Sequence, residues 1–220
     1  AYLTRHYGYD AGVVISASHN PSEYNGIKFF NGDGYKLSDL LEDEIEEVMR
    51  MNSAELPMPV GGEVGHITYR YDAKDDYVRF ACSLIDLDLS GLKIVVDTAE
   101  GASYYTAPKT LESLGAKPVV IHNHPDGVNI NRACGSTHME ELKKRVVEEG
   151  ADLGIAFDGD ADRMLAVDEN GNMVDGDQIM AICGLYMRNQ GRLKKDTVVA
   201  TVMSNLGFFR MGEKEGINIV

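Results

Sequence analysis

The 220-residue sequence predicts an α/β protein built from repeated three-layer modules, each with a mainly parallel sheet. Three observations carry that expectation. Apolar runs such as "KIVV" and "LGIAF" are near-continuous and bounded by glycine and polar turns, as in strands buried on both faces. Segments with helical spacing separate them, which implies crossovers between parallel strands. Finally, "KIVVDTAEG…LESLGAKPVVI" and "TVVATVMSN…GEKEGINIV" both run strand, polar turn, helix, glycine stop, strand, so the unit recurs.

Taken in order, "AYLTRHYGYDAGVVIS" reads as a helix end, a glycine stop and a buried strand, an opening inside a βαβ unit. Ser38 is placed to cap a helix over 39–51, with Leu41, Ile45, Val48 and Met49 on one face. Its Glu42, Asp43, Glu44, Glu46 and Glu47 form a solvated face, several of them near the positive end of the helix dipole. Residues 52–65, rich in proline and glycine, read as a linker or surface loop. A helix over 72–85 follows, then strand 92–97, helix 102–114, a stop at Gly115 and strand 117–121. After a long loop, Thr137 and Glu140 have the spacing of a capping box ahead of a helix and strand 152–157. A helix over 178–189, strand 197–202, helix 206–215 and a final strand complete the pattern. The expected domains are 1–70, 71–173 and 174–220, with the outer two incomplete, so the chain reads as part of a longer protein.

Composition narrows the function. The chain is 44% hydrophobic and 25% charged, an ordinary globular balance. Its 35 acidic residues against 21 Lys and Arg give a net charge of -14, which argues against nucleic acid or an anionic membrane as partner. Cys82, Cys134 and Cys183 are odd in number and widely spaced, so neither a disulfide framework nor a zinc site is expected. With no apolar run near the roughly 20 residues of a membrane helix and no signal peptide, a reducing, cytoplasmic location is the expectation.

Two stretches carry chemistry. In "AFDGDADRMLAVDENG", Asp158, Asp160 and Asp162 alternate directly after a strand. If the loop stays extended, alternate side chains point the same way and three carboxylates converge, a hard oxygen donor set for Mg²⁺ or Ca²⁺. An EF-hand-like loop is a rival, with Asp158, Asp160, Asp162 and Glu169 at positions one, three, five and twelve. Against it, Arg163 stands where that loop needs glycine, and the flanks read as strands. A solvated acidic turn before an Asn170-Gly171 hairpin is the plainest alternative.

The second stretch is "VVISASHNPSEYNGIKFF", 13–30. A serine here could cap a helix, sit in a turn or act as a hydrolase nucleophile, although the GxSxG elbow is absent. It could also carry a phosphoryl group of about -1.5 to -2 charge. Facing three carboxylates, each charge pair at 4 Å would cost about 4 kcal/mol at an effective dielectric of 20. A divalent cation between the two loops removes most of that conflict, and His19, Lys28 and Arg163 add positive charge.

Together with "NINRACGSTH", "VDGDQIM" and "TVMSNLGF", these stretches make the whole chain resemble the α-D-phosphohexomutase superfamily. The resemblance implies three related α/β domains and a smaller fourth around a central cleft. It implies that Ser18 is the phosphorylated residue, with Asp158, Asp160 and Asp162 holding Mg²⁺ beside the phosphate on Ser18. His19 and Lys28 would assist proton transfer and charge balance, and Arg163 would face the phosphoryl group. The branch the chain resembles implies interconversion of glucosamine 6-phosphate and glucosamine 1-phosphate for UDP-N-acetylglucosamine and cell-wall precursors. Its 1,6-bisphosphate intermediate, glucosamine or glucose 1,6-bisphosphate, also serves as activator. Phosphomannomutase/phosphoglucomutase activity and a calcium-binding module are the alternatives. The implied partner is a sugar phosphate, and a homodimer is left open. Because the superfamily's sugar-recognition loop has no counterpart in these residues, the 220-residue chain is expected to be inactive alone.

The remaining polar residues invite plainer readings. His122 and His124 fall in a Pro125–Gly127 turn, and the ten methionines are scattered like core residues. Arg132 either meets phosphate or sits at a domain contact.

Overall fold

Strand β3 (Lys93–Asp97) has four of its five residues buried, and the core is arranged around it. The computed structural model describes residues 1–51 and 56–220. In its five-stranded sheet, β4 (Lys117–Ile121) and β5 (Leu153–Phe157) flank β3 in parallel, with Val95 opposite Val119 and Gly154. Successive side chains point to opposite faces. Val95 therefore packs with Leu142 and Val146 of α5 (Glu140–Glu149), while Ile94 and Val96 meet Ala107 and Leu111 of α4 (Ser103–Ser113). Gly154 lets α5 approach closely, since a Cβ there would stand 2.6 Å from Val146 Cγ2.

The sheet continues β5-β6-β7, with β6 (Met164–Asp168) and β7 (Met173–Val174) antiparallel, so it is mixed. The helices α4 and α5 give the long crossovers that parallel pairing needs. The turns after β5 and β6 are too short for one, so the chain reverses.

The repeat read in the sequence is present. Strand β8 (Thr197–Val198), α7 (Leu206–Glu215) and β9 (Asn218–Ile219) form a parallel β-α-β unit like β3-α4-β4. Strand β8 ends well short of the expected 202, although the Ala200 N–H still reaches the Val220 carbonyl at 2.7 Å, and Val199 and Val202 stand exposed. Helix α6 (Gly176–Asn189), ahead of this unit, starts on a capping box between Asp175 and Gln178. The box expected from Thr137 and Glu140 does not form. Met139 is the N-cap of α5, and Thr137 ends a short turn held by Gly135, whose N–H is donated to the buried Asp97 carboxylate at 2.9 Å.

Residues 1–51 contain α1 (Tyr2–His6), the antiparallel pair β1 (Ala11–Ile15) and β2 (Ile27–Asn31), and α2 (Asp39–Arg50) capped by Ser38. Strand β1 was expected to be buried, but Val13 and Ile15 are exposed, as are Leu41 and Met49 on α2. No described element lies over those faces, so apolar pattern and burial part company here. The unit meets the rest through α3 (Ala73–Ser83): the Tyr2 ring stacks on Phe80 with centroids 3.8 Å apart, and Tyr7 Oη donates to Asp76. Of the anticipated linker, residues 52–55 lie outside the described residues, and 56–65 run exposed. Among the described residues, no helix is long and apolar enough to cross a membrane.

A polar post stands at the carboxyl ends of the parallel strands. Asp97 is fully buried and accepts the N–H groups of Ala99 at 2.8 Å and Gly135 at 2.9 Å. His122 is more than a turn residue. Its Nδ1 lies 3.0 Å from Asp97 Oδ2, off the line of an ideal hydrogen bond, and its Nε2 lies 3.2 Å from Glu141. His124, by contrast, uses its backbone, donating its N–H to Glu100. The Asp97 carboxylate so close to its Nδ1 outweighs desolvation and, with the charge of Glu141, raises the pKa of His122 above the ordinary 6.5. Burial, reinforced by nearby carboxylates, pushes the Cys134 thiol up to about 12, leaving it protonated and inert.

Because the folded pKa of His122 is raised, the pair's stabilisation is complete below the unfolded value and lost as pH rises through the folded one. Thermal melts from about pH 6 to about pH 9 should show a fall in midpoint that His122→Gln flattens. An unchanged slope in the variant would refute the linkage.

Candidate active site

The acidic loop joins β5 to β6 as a tight turn, not as the extended segment anticipated. Ala161 donates its N–H to the Asp158 carbonyl at 3.0 Å and adopts a left-handed backbone, φ 59°. Convergence is achieved all the same: one carboxylate oxygen from each of Asp158, Asp160 and Asp162 lies within 4.8 Å of the others. The calcium-hand alternative does not fit, because strands flank the loop and Glu169 lies beyond the far end of β6.

The serine loop, between β1 and β2, meets this turn from across the molecule. Ser18 Oγ donates to Asp158 Oδ2 at 2.8 Å and accepts from Arg163 Nη2. Arg163 Nε donates to the same Asp158 oxygen at 3.1 Å, and its Nη2 lies 2.6 Å from His19 Nδ1. Lys28, on β2, donates to Asp160 at 2.6 Å and reaches Asp162 at 3.4 Å. All seven residues singled out from the sequence thus meet at one place. Arg132 does not; it donates to the Val128 carbonyl in its own loop.

Burial grades the three acids. Asp158 is 1% exposed, the Asp160 side chain 10% and that of Asp162 56%. Burial alone would raise the pKa of Asp160, but the hydrogen bond and charge of Lys28, with the hydroxyls of Ser18 and Ser16, hold it below the usual carboxylate value. In turn, the Asp160 hydrogen bond outweighs desolvation and keeps the Lys28 ammonium charged above its ordinary range. Asp160 Oδ1 is buried and has no hydrogen-bond partner. An orphaned carboxylate oxygen beside two more carboxylates is a donor set that fits a hard divalent cation.

Ser16 and Asn131 are contributors that the sequence reading missed. Ser16 Oγ accepts the Ser18 N–H at 3.0 Å, and Asn131 reaches the Ser18 carbonyl. Both lie inside stretches quoted above, but nothing in their spacing marks them. The site opens into a cleft of about 820 Å³ lined by Ser16, Ser18, Asn20, Tyr24, Asp160 and Ala161, among others. It lies outside the carboxyl ends of β3 and β5, where open α/β sheets place their ligands.

Comparison with known proteins matches three family models in sequence order. They are the phosphoglucomutase/phosphomannomutase alpha/beta/alpha domains I over residues 1–55, II over 75–171 and III over 175–220. A phosphoglucosamine mutase of Acetivibrio thermocellus is 62% identical over 220 residues, covering 100% of this chain and 49% of the relative. The chain therefore spans about half the length of the curated relatives it matches. Among solved structures, a phosphoglucomutase/phosphomannomutase family protein of Burkholderia thailandensis superposes with a TM-score of 0.73 at 22% identity, over 96% of this chain and 44% of that one. The N-acetylphosphoglucosamine mutase of Aspergillus fumigatus, solved with GlcNAc-6P and magnesium, gives 0.61 at 18% identity, over 99% and 56%. At these identities the two structures support the fold alone.

Ala161 sits where glycine is conformationally favoured. The left-handed conformation costs a residue with a Cβ about 1–2 kcal/mol, and glycine's extra chain entropy takes back about 0.5–1 kcal/mol. Ala161→Gly is therefore expected to stabilise the protein by about 0.5–1 kcal/mol, read as a higher denaturation midpoint in urea. A loss of stability would show that the methyl group makes a compensating contact.

Proposed function

The chain belongs to the phosphoglucomutase/phosphomannomutase family, and from that premise we propose that the whole protein interconverts glucosamine 6-phosphate and glucosamine 1-phosphate. The observation that carries the reading is the bond from Ser18 Oγ to Asp158 Oδ2, which sets a hydroxyl against a cluster of three carboxylates 140 residues away. The sugar identity is supported by the 62% identical relative.

Charge explains the composition of the site. Three carboxylates against Lys28 and Arg163 leave about -1, and a phosphoryl group on Ser18 takes this to about -2.5 to -3. A divalent cation brings it back to about -0.5 to -1. Asp158, Asp160 and Asp162 would hold Mg²⁺ here, with a phosphate oxygen on Ser18 nearby. When bound, the metal would supply electrostatic stabilisation of the transferring phosphoryl group. Magnesium in the A. fumigatus enzyme supports that choice.

The chain's own groups divide the remaining work. Ser18 Oγ carries the phosphoryl group. As the hydroxyl at C1 of glucosamine 6-phosphate attacks, its bond to phosphorus forms and the bond to Ser18 Oγ breaks. The 1,6-bisphosphate then reorients and returns its 6-phosphoryl to Ser18 Oγ, leaving glucosamine 1-phosphate. Lys28, an ammonium held by two carboxylates, balances charge and is a poor base. Arg163 donates to His19 Nδ1, so His19 Nε2 is the atom left to take and return the sugar hydroxyl's proton. Arg163 also reaches Ser18 Oγ and so faces the phosphoryl group.

In the full-length protein, mass mapping of the Ser18 peptide should find a phosphate that is lost to glucosamine 6-phosphate when Mg²⁺ is present and retained under chelation. Ser18→Ala should lower kcat by more than about 10⁴-fold, and Lys28→Met by about 10²-fold. Absence of Ser18 phosphate after incubation with glucosamine or glucose 1,6-bisphosphate would overturn the mechanism. A phosphate that turns over only with mannose or glucose phosphates would keep the mechanism and reassign the sugar.

A further inference from the structure

The segment "NINRACGSTH", 129–138, takes no part in the chemistry above, yet one of its side chains crosses into the serine loop. Asn131 is 6% exposed, and its Nδ2 donates to the Ser18 carbonyl at 2.8 Å and the Asn20 carbonyl at 2.9 Å. Both amide hydrogens are thus used on a turn in which Ser18 itself is left-handed, φ 55°. At its other end Asn131 is anchored to the core. Its own N–H is donated to the carbonyl of Ala99 at 2.9 Å, just beyond the Asp97 post. Gly159 of the acidic loop closes against the same atoms, because a Cβ there would stand 2.5 Å from the Ser18 carbonyl oxygen and 2.7 Å from Asn131 Nδ2.

This arrangement is chemically selective. A primary amide on a short stem supplies two N–H donors, whereas the isosteric carboxylate would turn lone pairs toward both carbonyls. Among the described residues, the other side-chain bond between these loops is at the rim, where Ser22 Oγ donates to the Val128 carbonyl at 3.1 Å. The left-handed backbone of Asn131, φ 57°, is one that Asp and Gly also adopt readily, so the amide can be changed without forcing the chain.

We propose that Asn131 is a positioning residue for phosphoryl transfer: it fixes the turn that aims Ser18 Oγ at the carboxylate cluster, touching neither sugar nor metal. The proposal rests on the reading of Ser18 as phosphoryl carrier. Its leverage is geometric, since a displacement of about 1 Å at a reacting centre can cost about 10²-fold in rate.

The test uses full-length protein carrying Asn131→Asp, Asn131→Gly or, as a rim control, Ser22→Ala. Four quantities are measured: single-turnover transfer from phosphorylated Ser18 to glucosamine 6-phosphate, KM, half-saturation by Mg²⁺, and hydrogen exchange over 16–20 and 93–97. Both Asn131 variants should lose about 10- to 100-fold in transfer rate, with KM and Mg²⁺ half-saturation unchanged. Exchange should quicken over 16–20 and stay slow over 93–97, and Ser22→Ala should behave as wild type. Transfer rates and exchange like wild type in both variants would overturn the proposal. So would failure of both to fold, or equal losses in transfer, Mg²⁺ binding and protection over 93–97, which mark a residue that merely holds the domain together. If wild type passes no phosphoryl group from Ser18, the mechanism fails on its own account, and exchange over 16–20 still decides whether Asn131 holds the loop.

Discussion

Three carboxylates gathered within 4.8 Å repel one another, and the architecture of the site answers that repulsion. Lys28 and Arg163 are the fixed part of the answer. They reach the cluster from opposite sides of it in the chain, one from a strand of residues 1–51 and one from the residue directly after the last aspartate. Because Ser18 lies in the connection between β1 and β2 and Lys28 on the strand that follows it, the segment that brings the hydroxyl also brings a neutralising cation. The pairing is local to the acidic loop in one case and spans the molecule in the other. Weakening the contact between the units would therefore leave the acids under-compensated.

The sheet transmits this arrangement. Asp158 is buried because β5 ends there, and β5 is held in register by β3 and by α5 packing over Gly154. Beside it, Asp97 ends β3 and ties the turn after it to Gly135, so neighbouring loops share one polar foundation. A buried carboxylate satisfied by backbone N–H groups fixes loop geometry more firmly than apolar contact could, since misplacing it would leave a charge unpaired in the core.

Much of this was legible in the sequence. The periodic segments gave α2, α4, α6 and α7 to within a few residues, and the uninterrupted apolar runs located β3 and β5. Ser18 and the three aspartates stood out because alternating acids after a strand and a serine-histidine turn are unusual in plain connections, whereas the roles of His19, Lys28 and Arg163 came with the resemblance to the superfamily. What escaped was set by tertiary context. Thr137 has the spacing of a cap, but its turn is committed to Asp97, and no local rule contains that information. Strand β1 carries a buried strand's composition, yet burial depends on what lies over it. Asn131 bonds to a loop 113 residues earlier through an ordinary amide that no motif marks. The acid loop converged by a left-handed turn instead of an extended segment, because periodicity reports alternation and cannot see a reversal.

The 140-residue separation between Ser18 and Asp158 has a consequence in time. A ribosome adding about 5–20 residues each second needs about 7–28 seconds to pass from the serine loop to the acidic loop. Throughout that interval the nascent Ser18 is an ordinary hydroxyl, with neither carboxylate partner nor guanidinium beside it. The bonds of Ser18 Oγ to Asp158 and Arg163 therefore form only after synthesis has passed the acidic loop.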